Sequence, residues 1–568
     1  MAASVRRLVV ALALLAPAAA RAQQPDTTGV YRAMDLEVAG HYRQAAALYR
    51  PLLRTAVATN AILGLERVYA QLGWTDSLLV PLDSLVAESP REPVFHSVQV
   101  RAYTMLSRDA DARRAFDAWT RALPGTASPY REYSQLLIQR GRPAAADSII
   151  QLAGRMLGTT SGLQLQLALS RAAMGQWEAS ARAWRGALLE SPDLDEAAAY
   201  SLAPAPETAR QTVRAVFLAL PVDVGARRAL AALETGWGSP ADGWAALRDL
   251  PPDSESVAAW TDFAKRAESD EDWALARDAL IAALRWRPTP QLALDAATAA
   301  LNAGDARTAL ALAPAGGLDS AREAATVLPL RVRALAASGQ PAQAETLVRA
   351  YAHLLSPLQS ASLERAVAFG WVRAGNLDQA RQALDRAGPD ADSSDAAGWL
   401  ALYQGNLAGA RIMLRTSTDV SSQLAQALGL ITRMTEDTAA DVGHAFLALA
   451  RLDSTGAAQA FEQAAAHHPD AASVLLATSA EIHNARHDTA AAVSLWTRIL
   501  KDYAESPEAP GAELAWARQL RRAGNSAGAT AHLEHMILTY PESALVPQAR
   551  RELELARQAI PGGGGATR

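Results

Sequence analysis

The same short arrangement of residue types returns along nearly the whole chain. A glycine or other turn-forming residue is followed five positions later by a small residue, usually alanine, four positions after that by a large apolar residue, and eight further on by proline. Gly175, Ser180, Trp184 and Pro192 state it, and so do Gly524, Ala529, Leu533 and Pro541; Gly73, Leu78, Leu82 and Pro90 keep the spacing with a leucine at the small site. A fixed period of about 34 residues, written in helix-forming residues, leaves few folds open, because each unit has an apolar face that only a neighbouring unit covers. The expected class is all-α, a right-handed superhelical solenoid of antiparallel helix-turn-helix repeats.

With the turn residue as anchor, units fall at Gly40, Gly73, Ser107, Gly141, Gly175, Pro204, Gly236, Glu271, Gly304, Gly339, Gly375, Gly405, Leu452, His487 and Gly524. Five positions on stand small residues such as Ala45, Ala112, Ala209, Ala241, Ala276 and Ala529. Two helices cross closely only where a small side chain sits at the contact, and the large residue four positions later shares that face. Tyr49, Phe116, Ile150, Trp184, Phe461 and Trp496 are expected to fill the grooves between hairpins. Glycine at the anchor supplies the positive φ that ends a first helix. Pro143, Pro206 and Pro341 stand where the second helix begins, and Pro90, Pro124, Pro192, Pro221, Pro288, Pro469 and Pro541 where it ends.

These residues resemble the tetratricopeptide repeat, whose hallmarks are small residues at a helix crossing, an aromatic beyond and a terminal proline. The resemblance runs from about Tyr31 to Ile560 and is strongest at Met174–Pro192 and Ala264–Pro288. The expected organisation is a leader over 1–22, about fifteen hairpins over 23–560 with 388–460 least regular, and a Gly-rich, disordered tail over 561–568. The segment Ala529–Ile560 is similar to repeats of bacterial envelope proteins, namely the Tol-Pal coordinating protein and the tetratricopeptide proteins of outer-membrane assembly.

Arg6 and Arg7, an apolar run from Leu8 to Leu15 and the small-x-small triplet Ala20-Arg21-Ala22 read as a secretory signal with cleavage before Gln23. No cysteine occurs in the chain, so an exported product would fold without disulfides, thiolate metal sites or an N-terminal lipid anchor. No later stretch approaches the roughly 18 apolar residues of a membrane helix. Loss of Arg6, Arg7 and Arg21 moves the formal charge from -5 to -8, which lacks the electrostatic footprint for nucleic acid.

Motifs for chemistry are weak. Gly524-Asn525-Ser526-Ala527-Gly528 fits the pattern of a hydrolase nucleophile elbow, but helical patterning precedes it where a strand is required. His467, His468, His483, His487, His532 and His535 crowd near the C-terminus; the pairs His483/His487 and His532/His535 have helical spacing for a metal, with no third ligand evident. The acidic run Glu268, Asp270, Glu271 and Asp272 lacks the alternating oxygens of a calcium loop. No phosphate-cradling loop is present. Trp177, Trp184 and Trp273 sit at repeat positions that imply core packing; Trp237, Trp244, Trp260 and Trp286 are open to a groove role.

The resemblance implies that inward positions of each first helix line a concave face. On this register they are Asn60, Arg67, Gln71, Ser97, Arg101, Arg131, Gln135 and Gln139, a polar and cationic set containing no acid. Arginine forks onto carboxylates, so acidic or C-terminal peptide segments are the expected partners. The expected function is a non-catalytic protein-interaction scaffold of the bacterial envelope, exported to the periplasm or secreted, with no cofactor. The alternatives are a component of an outer-membrane assembly or polysaccharide-export machine, and a metal-dependent enzyme using the C-terminal histidines.

Overall fold

A computed structural model describes residues 27–558 apart from 315–316, 390 and 418–420; the leader and the Gly-rich tail lie outside the described residues. Among the described residues 32 α-helices follow one another and no strand occurs. The chain is an all-α succession of helical hairpins. Among the described residues no helix is long and apolar enough to cross a membrane.

The turns follow the expected register closely. Of the anchors, all but Pro204 and Gly236 have left-handed backbone, including the non-glycines Ser107, Glu271, Leu452 and His487. The small residue five positions later is sealed at the helix crossing: Ala45, Ala146, Ala276, Ala309, Ala344, Ala410, Ala457, Ala492 and Ala529 are all 0% exposed. Ser180 takes that place in the helix Trp177–Glu190, and its hydroxyl donates to the Ala168 carbonyl at 2.8 Å, so the small polar side chain stays satisfied. The large residues beyond it, Tyr49, Phe116, Ile150, Trp184 and Phe461, are fully buried. Prolines stop the second helices as expected: helices end at Glu88, Ala122, Glu190, Trp286, His467 and Thr539, just before Pro90, Pro124, Pro192, Pro288, Pro469 and Pro541.

Two anchors are corrected. Gly238, not Gly236, is the left-handed residue, which moves the crossing from Ala241, an exposed residue, to Gly243. A Cβ on Gly243 would lie 2.9 Å from the Ala231 carbonyl, so the two backbones touch where elsewhere an alanine intervenes. At Pro204 no left-handed residue occurs; the short helix Asp195–Leu202 leads through Pro204-Ala205-Pro206 into the helix Glu207–Leu218. There Val213 and Phe217 are buried, while Ala209 is only partly so.

Contacts divide the chain into two compact units, residues 1–263 and 264–568. Within the first, one core runs from Val30 to Ala102 and a second from Val100 to Ala246. Within the second, the largest core extends from Leu318 to Ala512 and a further one from Leu514 to Ala556. Each hairpin thus buries its apolar face on its neighbours rather than on a common centre.

The units close their turns differently. In the second, the residue after the left-handed one is repeatedly Asp or Asn. The carboxylates of Asp272, Asp305, Asp453 and Asp488 and the amides of Asn376, Asn406 and Asn525 accept from the backbone N–H three residues on, capping the second helix. In the first unit His41, Arg108, Arg142 and Gln176 stand at that place, with no side-chain cap.

The segment 388–460, expected to be least regular, holds an extra helix, Ser422–Arg433. After it the chain doubles back: Ala439 N–H donates to the Gly405 carbonyl at 2.9 Å, and Leu407 and Ala408 N–H to the Asp437 carbonyl at 2.9 and 3.1 Å. Arg411 holds this return, its guanidinium donating to the carbonyls of Ile431, Met434 and Glu436.

Candidate interaction surface

The expected groove residues lie on three successive first helices of the first unit. Asn60, Arg67 and Gln71 are on Ala58–Leu72, Ser97 and Arg101 on Pro93–Met105, and Arg131, Gln135 and Gln139 on Ser128–Gln139. Arg67, Arg101 and Gln135 each stand six residues before the left-handed residue that ends the hairpin's first helix, Gly73, Ser107 and Gly141. Equal spacing from an equal turn places them on equivalent faces. Asn60, Arg67, Gln71, Arg131, Gln135 and Gln139 are exposed, and Ser97 and Arg101 half-buried.

The arginines do not stand as free cations. Arg67 forks onto Glu37, with Nε at 2.6 Å and Nη2 at 2.9 Å from the two carboxylate oxygens. Arg101 forks onto Glu66 at 2.6 and 2.8 Å and reaches Glu132 with Nη1 at 2.8 Å. Arg131 Nε donates to the Gly162 carbonyl at 3.1 Å. The surface is therefore a ladder of alternating charges, Glu37–Arg67 and Glu66–Arg101–Glu132, each rung joining neighbouring first helices. No acid is among the eight expected positions, but adjacent positions on the helix before and after supply the carboxylates.

The electrostatics follow from these contacts. The Arg67 hydrogen bonds, against some desolvation, hold the Glu37 carboxyl below the usual range. Burial, and then the hydrogen bond to Glu37, push the Tyr49 hydroxyl up to about 12. Burial opposes the charge on Arg101, but its bonds to Glu66 and Glu132 outweigh that and raise its proton affinity. Around these fixed charges Asn60, Gln71, Gln135 and Gln139 offer amides that both donate and accept. Such a face suits a polypeptide with its own main-chain groups and mixed charges better than a uniformly acidic one.

Five of the six C-terminal histidines are set against carboxylates. His467 Nδ1 lies 3.0 Å from Asp441; His468 lies between Glu436 at 3.2 Å and Asp441 at 3.0 Å; His483 lies between Asp488 at 3.1 Å and Glu462 at 3.2 Å. His532 and His535 share Glu513, at 2.8 and 2.9 Å. His487, whose spacing from His483 could serve a metal, is the left-handed turn residue expected at that anchor. Among the described residues no grouping of three or more His, Cys, Asp or Glu is placed to hold a metal ion.

Other motifs settle into structural places. Asn525 caps the helix that Ser526 begins, so Gly524–Gly528 is a hairpin turn. Asp272 likewise caps a helix beside the left-handed Glu271. Trp244 and Trp260 are buried, Trp260 donating to the Leu247 carbonyl at 2.8 Å. Trp237 lies beneath Arg210 and Arg214, while Trp286 is exposed.

Two features went unseen in the sequence although each carries a signal. Opposite charges one repeat apart mark the ladder: Glu37 to Arg67, Glu66 to Arg101 and Arg101 to Glu132 are separated by 30, 35 and 31 residues. Asp or Asn directly after the anchor marks the capped turns of the second unit.

No protein-family model matches the chain, and no curated protein matches it significantly. Solved structures align with it over most of their length. The structure described as the APC/C hetero-tetramer Cut9-Hcn1 is 12% identical, covering 92% of this chain and 95% of that one, with a TM-score of 0.24. Naa15/Naa10 bound to HypK-THB is 12% identical over 94% and 91%, with a TM-score of 0.22. The P58(IPK) TPR domain is 11% identical over 90% and 100%, with a TM-score of 0.18. At such scores the superpositions carry no argument, and the fold rests on the helices and turns described above.

Proposed function

We propose that the protein is a non-catalytic, tetratricopeptide-like scaffold that binds protein partners along the first-helix faces of its hairpins. The observation that carries this is the repeated placement of Arg67, Arg101 and Gln135 on successive helices, bordered by exposed amides and fixed by Glu37, Glu66 and Glu132. Partners with both acidic and basic side chains fit that alternation. Because the ladder charges are held by one another, they add directionality and register more than net attraction.

The test is site-specific photocrosslinking in cells. A photoreactive residue at Asn60, Gln71 or Gln135 is expected to trap the same partner, whereas one at the exposed second-helix position Ser148 traps none. Equal trapping at Ser148 would overturn the assignment of the face.

The same reading places the scaffold in a bacterial envelope, supported by the arginine pair, apolar run and small-x-small triplet at residues 6–22. Fusion of residues 1–30 to a reporter active only after export is expected to give activity. Replacing Leu12, Leu14 and Leu15 with charged residues should abolish it, and an active reporter after that change would remove the assignment.

A further inference from the structure

The helix Ser422–Arg433 lies outside the hairpin succession. Helix Ala391–Tyr403 pairs with Leu407–Leu414 and also packs directly on helix Ala440–Ala450, so the stack runs on past Ser422–Arg433. Its apolar residues Leu424, Ala427, Leu430 and Ile431 are buried, at 5% exposure or less, and fall on one helix face. They belong to the same core as Leu475, Leu476 and Ala509, which lie well downstream. Its polar contacts also reach far along the chain. Gln426 Nε2 donates to Glu481 Oε2 at 2.8 Å, and Arg433 pairs with Glu508, whose other oxygen accepts from Ser473 Oγ at 2.9 Å.

Glu481 stands six residues before the left-handed His487, the place that Arg67 and Arg101 hold before Gly73 and Ser107. Where the first unit leaves this face open, the second lays a piece of the chain across part of it, sheltering Ser473 and Glu508 and leaving Glu481 at the exposed edge. The cover is a helix with an apolar stripe and a basic residue at its C-terminal end, opposite two carboxylates. Desolvation raises the Glu481 carboxyl, and the Gln426 bond only partly offsets this.

We propose that the surface around Ser473, Glu481 and Glu508 is a binding site for an amphipathic helix with a basic C-terminal end, and that Ser422–Arg433 occupies it as an internal stand-in that such a partner displaces. This rests on the scaffold reading and names one of its sites and the kind of partner it takes. Arg411, bonded to the Met434 and Glu436 carbonyls just beyond the helix, keeps the displaced segment tethered beside the site.

The test uses the full chain and a fluorescent synthetic peptide of residues 421–434, followed by anisotropy. Gln426→Glu with Arg433→Glu sets like charges against Glu481 and Glu508 and should free the site. That variant is expected to bind the peptide at least tenfold more tightly than wild type, and a scrambled peptide not at all. A folded variant that takes up no peptide overturns the proposal. Should the variant fail to fold, Gln426→Cys with Glu481→Cys decides the question, since the chain has no other cysteine. The reduced form should bind peptide at least tenfold more tightly than the oxidised form, and equal binding overturns the proposal. Failure of either test with trapping at Asn60 and Gln135 intact removes the stand-in alone; loss of trapping removes the scaffold reading.

Discussion

Gly64 makes room for Tyr49: a Cβ on Gly64 would lie 2.3 Å from the ring's Cζ and 2.6 Å from both Cε atoms. The ring passes over bare backbone to bring its hydroxyl within 3.0 Å of Glu37, the acid that also receives Arg67. Core packing and the charged ladder are thus joined through one side chain. Gly64→Ala is expected to destabilise the first unit by about 1–3 kcal/mol through overpacking. With Tyr49→Leu in the background, the added loss should shrink, and urea unfolding of the two single variants and the double variant measures that coupling.

The half-buried Arg101 should matter more than an exposed arginine. Its side chain is 25% exposed and Glu66 15%, against 48% and 46% for Arg113 and Asp117, a pair within one helix. Arg101→Ala leaves Glu66 and Glu132 without their donor and should cost about 1.5–3 kcal/mol, while Arg113→Ala should cost under about 1 kcal/mol. Chemical denaturation of the two variants side by side gives the comparison.

A conformational prediction concerns Leu452, an exposed leucine with φ 63°. A side chain in left-handed backbone costs about 1 kcal/mol relative to glycine. Leu452→Gly should therefore raise stability despite removing an apolar side chain, and thermal unfolding tests the sign. In the same spirit, Gln176→Asp would give the helix Trp177–Glu190 the cap that its counterparts in the second unit possess. It should add about 0.5–2 kcal/mol, read from the same experiment.

The His468 cluster predicts a pH profile. Burial works against the imidazolium, but the bonds to Asp441 and Glu436 outweigh it and raise His468 above its usual 6.5. A raised folded-state value gives stability that is complete below 6.5 and lost as pH climbs through it. Asp441 is lowered from 3.8, desolvation being overcome by His468 and His467; Glu436 is lowered from 4.5 by its own backbone N–H and then His468. Their contribution is present above the unfolded values and lost as pH falls through the folded ones. The second unit should be most stable between about pH 5 and 6.5. His468→Gln should flatten the alkaline limb of a plot of denaturation midpoint against pH.

The legibility of this chain divides by distance. Turn positions were readable because anchor, small residue and large residue lie within one hairpin, where helical spacing fixes their faces; even Leu452, with no glycine to flag it, fell on the register. Gly236 misled because Gly236-Trp237-Gly238 offers two glycines for one turn, and only the second has the left-handed backbone. Pro204 misled because proline, with φ fixed near roughly -65°, cannot adopt a left-handed turn. Arg67 and Arg101 stand on the expected first helices, but their charge balance is not legible locally, since their acids come from other hairpins. The cover formed by Ser422–Arg433 was least visible: its polar partners lie 55 and 75 residues downstream, beyond any local period.

The rungs Glu37–Arg67, Glu66–Arg101 and Arg101–Glu132 each span one interval between neighbouring first helices. They consequently behave like stays along a bridge deck. Lengthening the interval by an ångström or so slackens every fork at once, while restoring it tightens them together. The hairpins between Glu37 and Glu132 are thereby held to one pitch, and any change in it is felt by all three pairs together.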